Sequence, residues 1–409
     1  MLISPSRKLK VMYLEPVEEK ILEGGYGEAL ALAMKTVVRV GEALQAERLV
    51  KVKNAHVSGI SYKNIGDEGL EFLEELARKG ARVSVPTSMN PAGFDTLNWT
   101  AMGIDHVFYE KQKRIIEALA SLGVKPTLTC TPYLYEDIRL GDHLAWSESN
   151  AVLYANSVIG ARSNRDGGPL ALFEALTGRA PLAGLHLESN RRPTLVIDFR
   201  EVSEMIDVEG LYSIAGLLVG SLAGDKVPYI KGLRLSREKN AELKIFLAAI
   251  GASGGTGLAL IEGVSPEEYP IEEADRINVD PKMFQEILEE YSGDGTGVVV
   301  LGCPHLSLEE VMDIISLASG EGTAKRKVFL YTSRTVYETV SGYVPKLREK
   351  NIYLFADTCM VVSPLHKYAG SEILTDSGKA AFYLKAQGFK VTLTSRKKAL
   401  EIAFGKTTA

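Results

Sequence analysis

Three cysteines, Cys130, Cys303 and Cys359, are the side chains of this sequence best suited to hold a metal, and they stand far apart along the chain. Their settings are TLTCTPY, VVVLGCPHLS and FADTCMVVSP. The first two directly follow apolar, strand-like runs, and the third follows the shorter run YLFADT. Ligands of α/β folds bind beyond the carboxyl ends of parallel strands, so each thiol can sit on a loop facing a shared cleft. Isolated cysteines also serve as small buried hydrophobes, and spacing alone leaves that role open. The absence of CxxC excludes a zinc-ribbon or ferredoxin signature. A cubane 4Fe–4S cluster normally takes four thiolates. With three, one iron stays open to a substrate oxygen and acts as a Lewis acid. That chemistry suits loss of water, because hydroxide is a poor leaving group. The six histidines are scattered, unlike the ligand set of a zinc hydrolase.

Alternating helical and strand-like segments must position these loops. Helical apolar spacing runs over 27–45, 67–79, 110–122, 209–222, 237–249, 281–291 and 307–318. Strand-like runs cover 48–57, 81–86, 124–129, 194–198, 297–301 and 327–331. The alternation predicts an α/β architecture with largely parallel sheets. Possible seams between subdomains lie at 178–193, which carries Gly, Pro and Arg, and at 263–280, rich in Glu and Pro. Both are also readable as long loops within one catalytic body spanning 1–409.

The 409 residues suffice for two or three hydrophobic cores. A net charge of −5 argues against a global grip on nucleic acid, though not against a local basic pocket. The N-terminus, MLISPSRKLKVMYLEP, lacks the apolar centre of a signal peptide. The longest uncharged run, IFLAAIGASGGTGLALI, breaks at GASGGTG and reads as helix end, glycine turn and strand rather than a membrane span. A cytoplasmic protein without membrane or nucleic-acid partners is expected. GASGGTG also lacks the Lys-Ser/Thr ending of a P-loop.

Five strings, AWSESNAVLYANSVIGARSNRDGGP, HVSGISY, TSMNPAG, GCPHLS and DTCMVVSP, resemble the catalytic part of the aconitase X family, and the likeness runs over nearly the whole chain. That resemblance implies an aconitase-like body of several α/β subdomains around a central cleft, lacking the swivelling domain. It implies a hydro-lyase with an iron–sulfur cluster on Cys130, Cys303 and Cys359, a 4Fe–4S form or, after oxidation, a three-iron form. Two activities go with the family. One is dehydration of mevalonate 5-phosphate to trans-anhydromevalonate 5-phosphate, in which a large subunit pairs with a small one that corresponds to the swivelling domain. The other is dehydration of cis-3-hydroxy-L-proline. The chain ends shortly after a helix over 377–387 and a final strand. The expectation is therefore the large subunit of the phosphomevalonate enzyme, in an archaeal-type mevalonate pathway, with the general base on the small partner. A scaffold that kept the fold and binds only an anion or a partner is the reading from another class.

The resemblance gives the polar residues of these strings their roles. Between Glu148 and Arg162 the helix carries no charge. Ser147 is a plausible N-cap with Glu148 in the first turn, and Ser149 and Asn150, near the helix start, are assigned to the substrate and cluster pocket. Satisfying buried backbone is their alternative role. Arg162 and Arg165 can each grip a carboxylate or phosphate through paired hydrogen bonds, or pair with Asp166 or Glu174 on the surface. Ser58, Gly59 and Ser61 follow a strand where backbone N–H groups can approach an anion, or form a structural turn. Ser88 and Asn90, at another strand end, can bind substrate oxygens or cap their own turn, as can Thr87. His305 can donate to a cluster sulfur, and Lys367 and Lys379 are possible phosphate contacts.

Overall fold

The structure is a computed structural model and describes residues 12–293, 297–370 and 372–406. Three all-parallel sheets organise it, each built from one stretch of chain. The first holds Thr87–Met89, Asn54–Val57 and Leu144–Trp146 in that order. The second runs Leu260–Ile261, Pro228–Lys231, Leu195–Asp198, Asp275–Asn278. The third has five strands, in the order Ile352–Ala356, Val328–Thr332, Val298–Leu306, Glu372–Thr375, Lys390–Leu393. Parallel strands need crossover helices, and these cover both faces. Hence the central strand of the third sheet reads as an unbroken apolar run, with Val299, Val300 and Leu301 fully buried.

The second sheet packs on Tyr212–Ala223 and Asn240–Ser253, helices that are apolar nearly all round and buried accordingly. They approach closely because Gly216 stands at the crossing, where a side chain would strike the Phe246 carbonyl. Asn240–Ser253 also contacts Gly378–Ala386 of the third unit and Ser149–Tyr154 of the first. It is the beam on which the three units meet.

Most expected elements form, with informative shifts. The run 48–57 divides between two sheets: Leu49–Lys51 pairs antiparallel with Arg179–Pro181, while Asn54–Val57 enters the parallel sheet. The strand expected at 81–86 begins instead at Thr87. The segment 124–129 runs beside it with only two backbone bonds, Lys125 to Thr87 at 2.8 Å and Thr129 to Met89 at 3.3 Å. Pro126 has no N–H to extend that ladder. Residues 178–193 link the first sheet to the second, whereas 263–280 join two strands of the second sheet itself. Among the described residues no helix is long and apolar enough to cross a membrane.

Candidate functional site

Carboxyl ends of strands from the first and third sheets converge on one buried polar centre. His56 ends the strand Asn54–Val57, and Ser88 and Asn90 lie at the end of Thr87–Met89. Glu148 follows Leu144–Trp146, Cys303 and His305 fall in the irregular end of Val298–Leu306, and Cys359 follows Ile352–Ala356. Gly302, before the thiol, has φ +107°, and a side chain there would strike the Tyr331 backbone. Only glycine lets the two strands close at that point.

The three thiols are buried and come together. Cys303 hydrogen-bonds to Cys359, and the backbone N–H of His305 donates to the Cys130 sulfur at 3.3 Å. The bond to Cys359, with burial, pushes the Cys303 thiol well up, and the same bond draws Cys359 down to about 7. Burial pushes Cys130 up to about 12, the Glu148 and Cys359 charges adding to it. The charge of Lys379 reaches all three sulfurs. Beside Cys359 the Thr358 hydroxyl is buried with no partner among the described residues. Soft thiolates of this kind suit iron–sulfur groups. Among the described residues no three His, Cys, Asp or Glu side chains stand at the spacing of ligands to one ion. What fits such a group is the chemistry of the donors, three buried thiols brought together from separate loops.

Glu148 is the hub beside the thiols. Its carboxylate accepts from the Asn90 amide at 2.7 Å, the Asn150 amide at 2.9 Å and the Lys379 ammonium. Burial pushes the carboxyl up, but Lys379 and the two amides outweigh it and hold Glu148 at about 2. Burial disfavours the Lys379 charge, and Glu148 with the thiols more than restores it. Asn90 turns its carbonyl to His56 Nε2 at 3.1 Å, and Ser88 meets His56 Nδ1 at 2.9 Å. Burial lowers His56 to about 4, so its ring is neutral at pH 7. Tyr133 donates to the Asn150 carbonyl at 3.2 Å. The result is a buried, interlinked network with charge at its centre.

Ser88, Asn90 and Asn150 are all members of this network. Ser149 lies at its edge, 3.4 Å from the Glu148 carboxylate. Ser61 donates to the Val362 carbonyl at 2.9 Å, tying the loop after Asn54–Val57 to the one that carries Cys359. Gly59 has φ +75° and faces open space. Ser58 is paired with Ser147, N–H to Oγ and Oγ to carbonyl, each 2.8 Å. Ser147 is thereby occupied, and the N-cap of the helix is Glu148 instead. Lys367 pairs with Asp105 at 2.6 Å on the surface.

Both arginines of the turn do something other than expected. Arg162 reaches the His186 carbonyl at 3.3 Å and Glu188 at 3.5 Å. Arg165 donates to the carbonyls of Gly251 and Gly254, both at 2.6 Å, at the end of Asn240–Ser253, where a helix presents unpaired acceptors. Neither pairs with Asp166 or Glu174, whose carboxyls are left with unpartnered oxygens. Burial raises both carboxyls, Asp166 to about 6. His305 touches the cysteine-bearing loops through its backbone, while its ring bridges Thr129 at 3.1 Å and the Thr358 carbonyl at 2.8 Å. The residue that sequence reasoning missed is Glu148, whose signal was its being the one charge on a helix otherwise free of them. A cleft of about 1400 Å³ opens behind this centre, lined by Asp207, Lys239, Glu310, Asp376, Arg396 and others, and none of the thiols lines it.

Comparison with known proteins fits this architecture. Residues 11–189 match the family model for the aconitase X first domain, 193–289 the second and 296–405 the third. Each span contains one parallel sheet. The chain is 41% identical over 392 residues to the phosphomevalonate dehydratase large subunit of Thermococcus kodakarensis, covering 93% of this chain and 97% of that one. It is 33% identical to the cis-3-hydroxy-L-proline dehydratase of Pseudomonas aeruginosa, covering 90% of this chain and 66% of that longer one. The crystal structure of holo-form Thermococcus kodakaraensis aconitase X superposes with a TM-score of 0.87 at 40% identity, covering 96% of this chain and 100% of that chain.

Proposed function

The chain belongs to the aconitase X family, and from that premise we propose that it is the large subunit of a cytoplasmic hydro-lyase that dehydrates mevalonate 5-phosphate to trans-anhydromevalonate 5-phosphate. The substrate follows from the Thermococcus kodakarensis relative, matched over nearly its full length, and from a second large subunit of that name in Methanothermobacter thermautotrophicus, 40% identical over 381 residues. The observation that carries the chemistry is the meeting of three buried thiols from separate loops beside the Glu148–Lys379 pair. Cys130, Cys303 and Cys359 would hold an iron–sulfur cluster. When bound, such a group supplies a Lewis acid for the departing hydroxyl.

The chain's own residues do the rest. We assign substrate binding to Ser88, Asn90, Ser149 and Asn150, which surround Glu148 and His56, together with Ser58, Gly59 and Ser61. Lys379 places a fixed positive charge where negative charge gathers as a proton leaves the carbon beside the substrate carboxylate. Among the described residues, the carboxylate, imidazole and ammonium groups around the thiols are each held in a state or a bond that does not suit the removal of that proton. Glu148, held at about 2, does not accept one at pH 7. His56 and His305 are neutral, but both nitrogens of each ring are engaged. Lys63, near Cys359, is committed to the Val361 and Ser363 carbonyls and to Gln387. We assign the general base to the small partner subunit that the relatives' large-subunit name implies, which makes the isolated chain inactive or nearly so. The test is anaerobic co-expression with a candidate small subunit and assay on both substrates. Dehydration of phosphomevalonate is expected only in the complex. Turnover of hydroxyproline alone would reverse the substrate assignment, and full turnover by the isolated chain would refute the division of labour.

A further inference from the structure

The second domain supplies no thiol, yet one of its side chains reaches the loop of Cys303. Lys244, on the helix Asn240–Ser253, is 1% exposed. Its ammonium donates to the His305 carbonyl at 2.8 Å and pairs with Glu310. Glu310 also accepts from the Ser307 backbone N–H at 2.8 Å and from Arg396 at 2.8 Å, and Arg396 reaches Asp376 at 2.7 Å. Asp376 adjoins Ser377, whose hydroxyl donates to the Cys303 carbonyl. The turn Cys303–Pro304–His305 is thus held at both ends, its first carbonyl by Ser377 and its last by Lys244. Between those two anchors the His305 N–H is aimed at the Cys130 sulfur. The four charges balance, two positive and two negative, and Lys244 and Glu310 are almost wholly buried. A buried lysine needs a strong reason to be kept, since apolar packing often serves stability as well.

We infer that Lys244 is a positioning residue for the metal centre: from the second domain it fixes the His305 carbonyl, and with Ser377 it sets the Cys303 thiol and the His305 N–H against Cys130. The inference rests on the reading that these thiols bind an iron–sulfur group. Groups one step behind a metal ligand orient it, and their loss typically weakens metal retention by about 10- to 100-fold. Lys244→Met keeps the length and apolar stem of the side chain, leaves Glu310 paired with Arg396, and takes the donor from the His305 carbonyl. Ser377→Ala releases the other end of the turn without touching a charge.

The experiment reconstitutes the full chain anaerobically with iron(II) and sulfide, then follows the visible absorption as a chelator withdraws the iron. Arg191→Met, which breaks the buried Arg191–Glu267 pair away from the thiols, is the control for general destabilisation. Expected is iron loss at least about tenfold faster in Lys244→Met than in the wild type and in Arg191→Met. Ser377→Ala should shift the same way, and Lys244→Arg, which keeps charge and donors, should recover part of the loss. Should Lys244→Met fail to fold, Ser377→Ala carries the measurement alone. Wild-type iron retention in Lys244→Met and Ser377→Ala, or equal loss in the Arg191→Met control, would overturn the positioning role. A wild-type chain that takes up no iron would instead overturn the cluster reading on which it rests.

Discussion

Replacing Lys379 with methionine should cost the protein about 3 kcal/mol at pH 7, and adding Glu148→Gln should return most of it. The magnitude follows from the carboxyl. Glu148 sits at about 2, where an unperturbed glutamate titrates near 4.5. At about 1.4 kcal/mol for each tenfold in proton affinity, ionised Glu148 contributes about 3 kcal/mol to the folded state at pH 7. That agrees with the roughly 3–5 kcal/mol lost when one partner of a buried ion pair is removed. Glu148 and Lys379 lie in different domains, so the whole chain of 409 residues shares the loss, a fall in Tm of roughly 3–4 °C at about 2.1 cal/mol/K per residue. The sign in acid differs between the proteins. In the wild type the carboxyl is depressed, so its contribution is present above pH 4.5 and is lost as pH falls through about 2. In Lys379→Met, burial dominates and raises Glu148, so the variant gains relative stability as the carboxyl takes its proton. The gap should therefore be widest at neutral pH and narrow as the solution is acidified. Thermal unfolding of metal-free wild type, both single variants and the double variant, at pH 7 and pH 5, closes the cycle. A loss under about 1 kcal/mol in Lys379→Met, or a double variant no more stable than it, would refute the closed-pair reasoning.

Cys303→Ala should abolish the broad visible absorption of anaerobically purified protein, and an unchanged spectrum with full iron content would remove it from the ligand set. Asp166→Asn should stabilise the fold at neutral pH. Burial raises Asp166 from 3.8 to about 6, so ionising it costs the native state progressively across that interval, by on the order of 3 kcal/mol above it. The Tm difference between variant and wild type should be near zero at pH 3 and grow to pH 7, and a flat difference would show that Asp166 is compensated. Gly302→Ala should cost at least about 2 kcal/mol, because it meets both a left-handed backbone and the Tyr331 main chain. Denaturant unfolding at wild-type midpoint would contradict that clash.

How much of this could be read beforehand depended on range. The thiol loops were legible because each cysteine closes an apolar run, and a buried parallel strand announces its end by the first turn residue after it. Ser88, Asn90 and Asn150 were singled out by the family resemblance rather than by that rule. What failed needed partners distant in sequence. Arg165 read as an anion grip or as a partner of neighbouring Asp166 or Glu174, but its acceptors are carbonyls 86 and 89 residues later. Ser147 looked like a cap until Ser58 claimed it from 89 residues away. Pro126 was a local signal that the strand reading of 124–129 overlooked, and it spoils the ladder there.

Glu148 shows most clearly why a helix without surface charge should be read for the charge it does carry. A lone carboxylate in an apolar, hydroxyl-rich helix start has no solvent to serve, so it must be exposed, protonated or paired. Here it is paired with Lys379, 231 residues further on. The same logic applies to Lys244, the buried charge of a helix whose buried face is otherwise apolar, which answers to the cysteine loop 61 residues away. Both exceptions sit where units of the fold meet. Apolar faces can dock in many registers, but a buried ion pair tolerates few, because a misplaced partner leaves a charge unsolvated. The two lysines therefore do for the assembly of the units what register does within a sheet: they leave one arrangement open, the arrangement in which the thiols face one another.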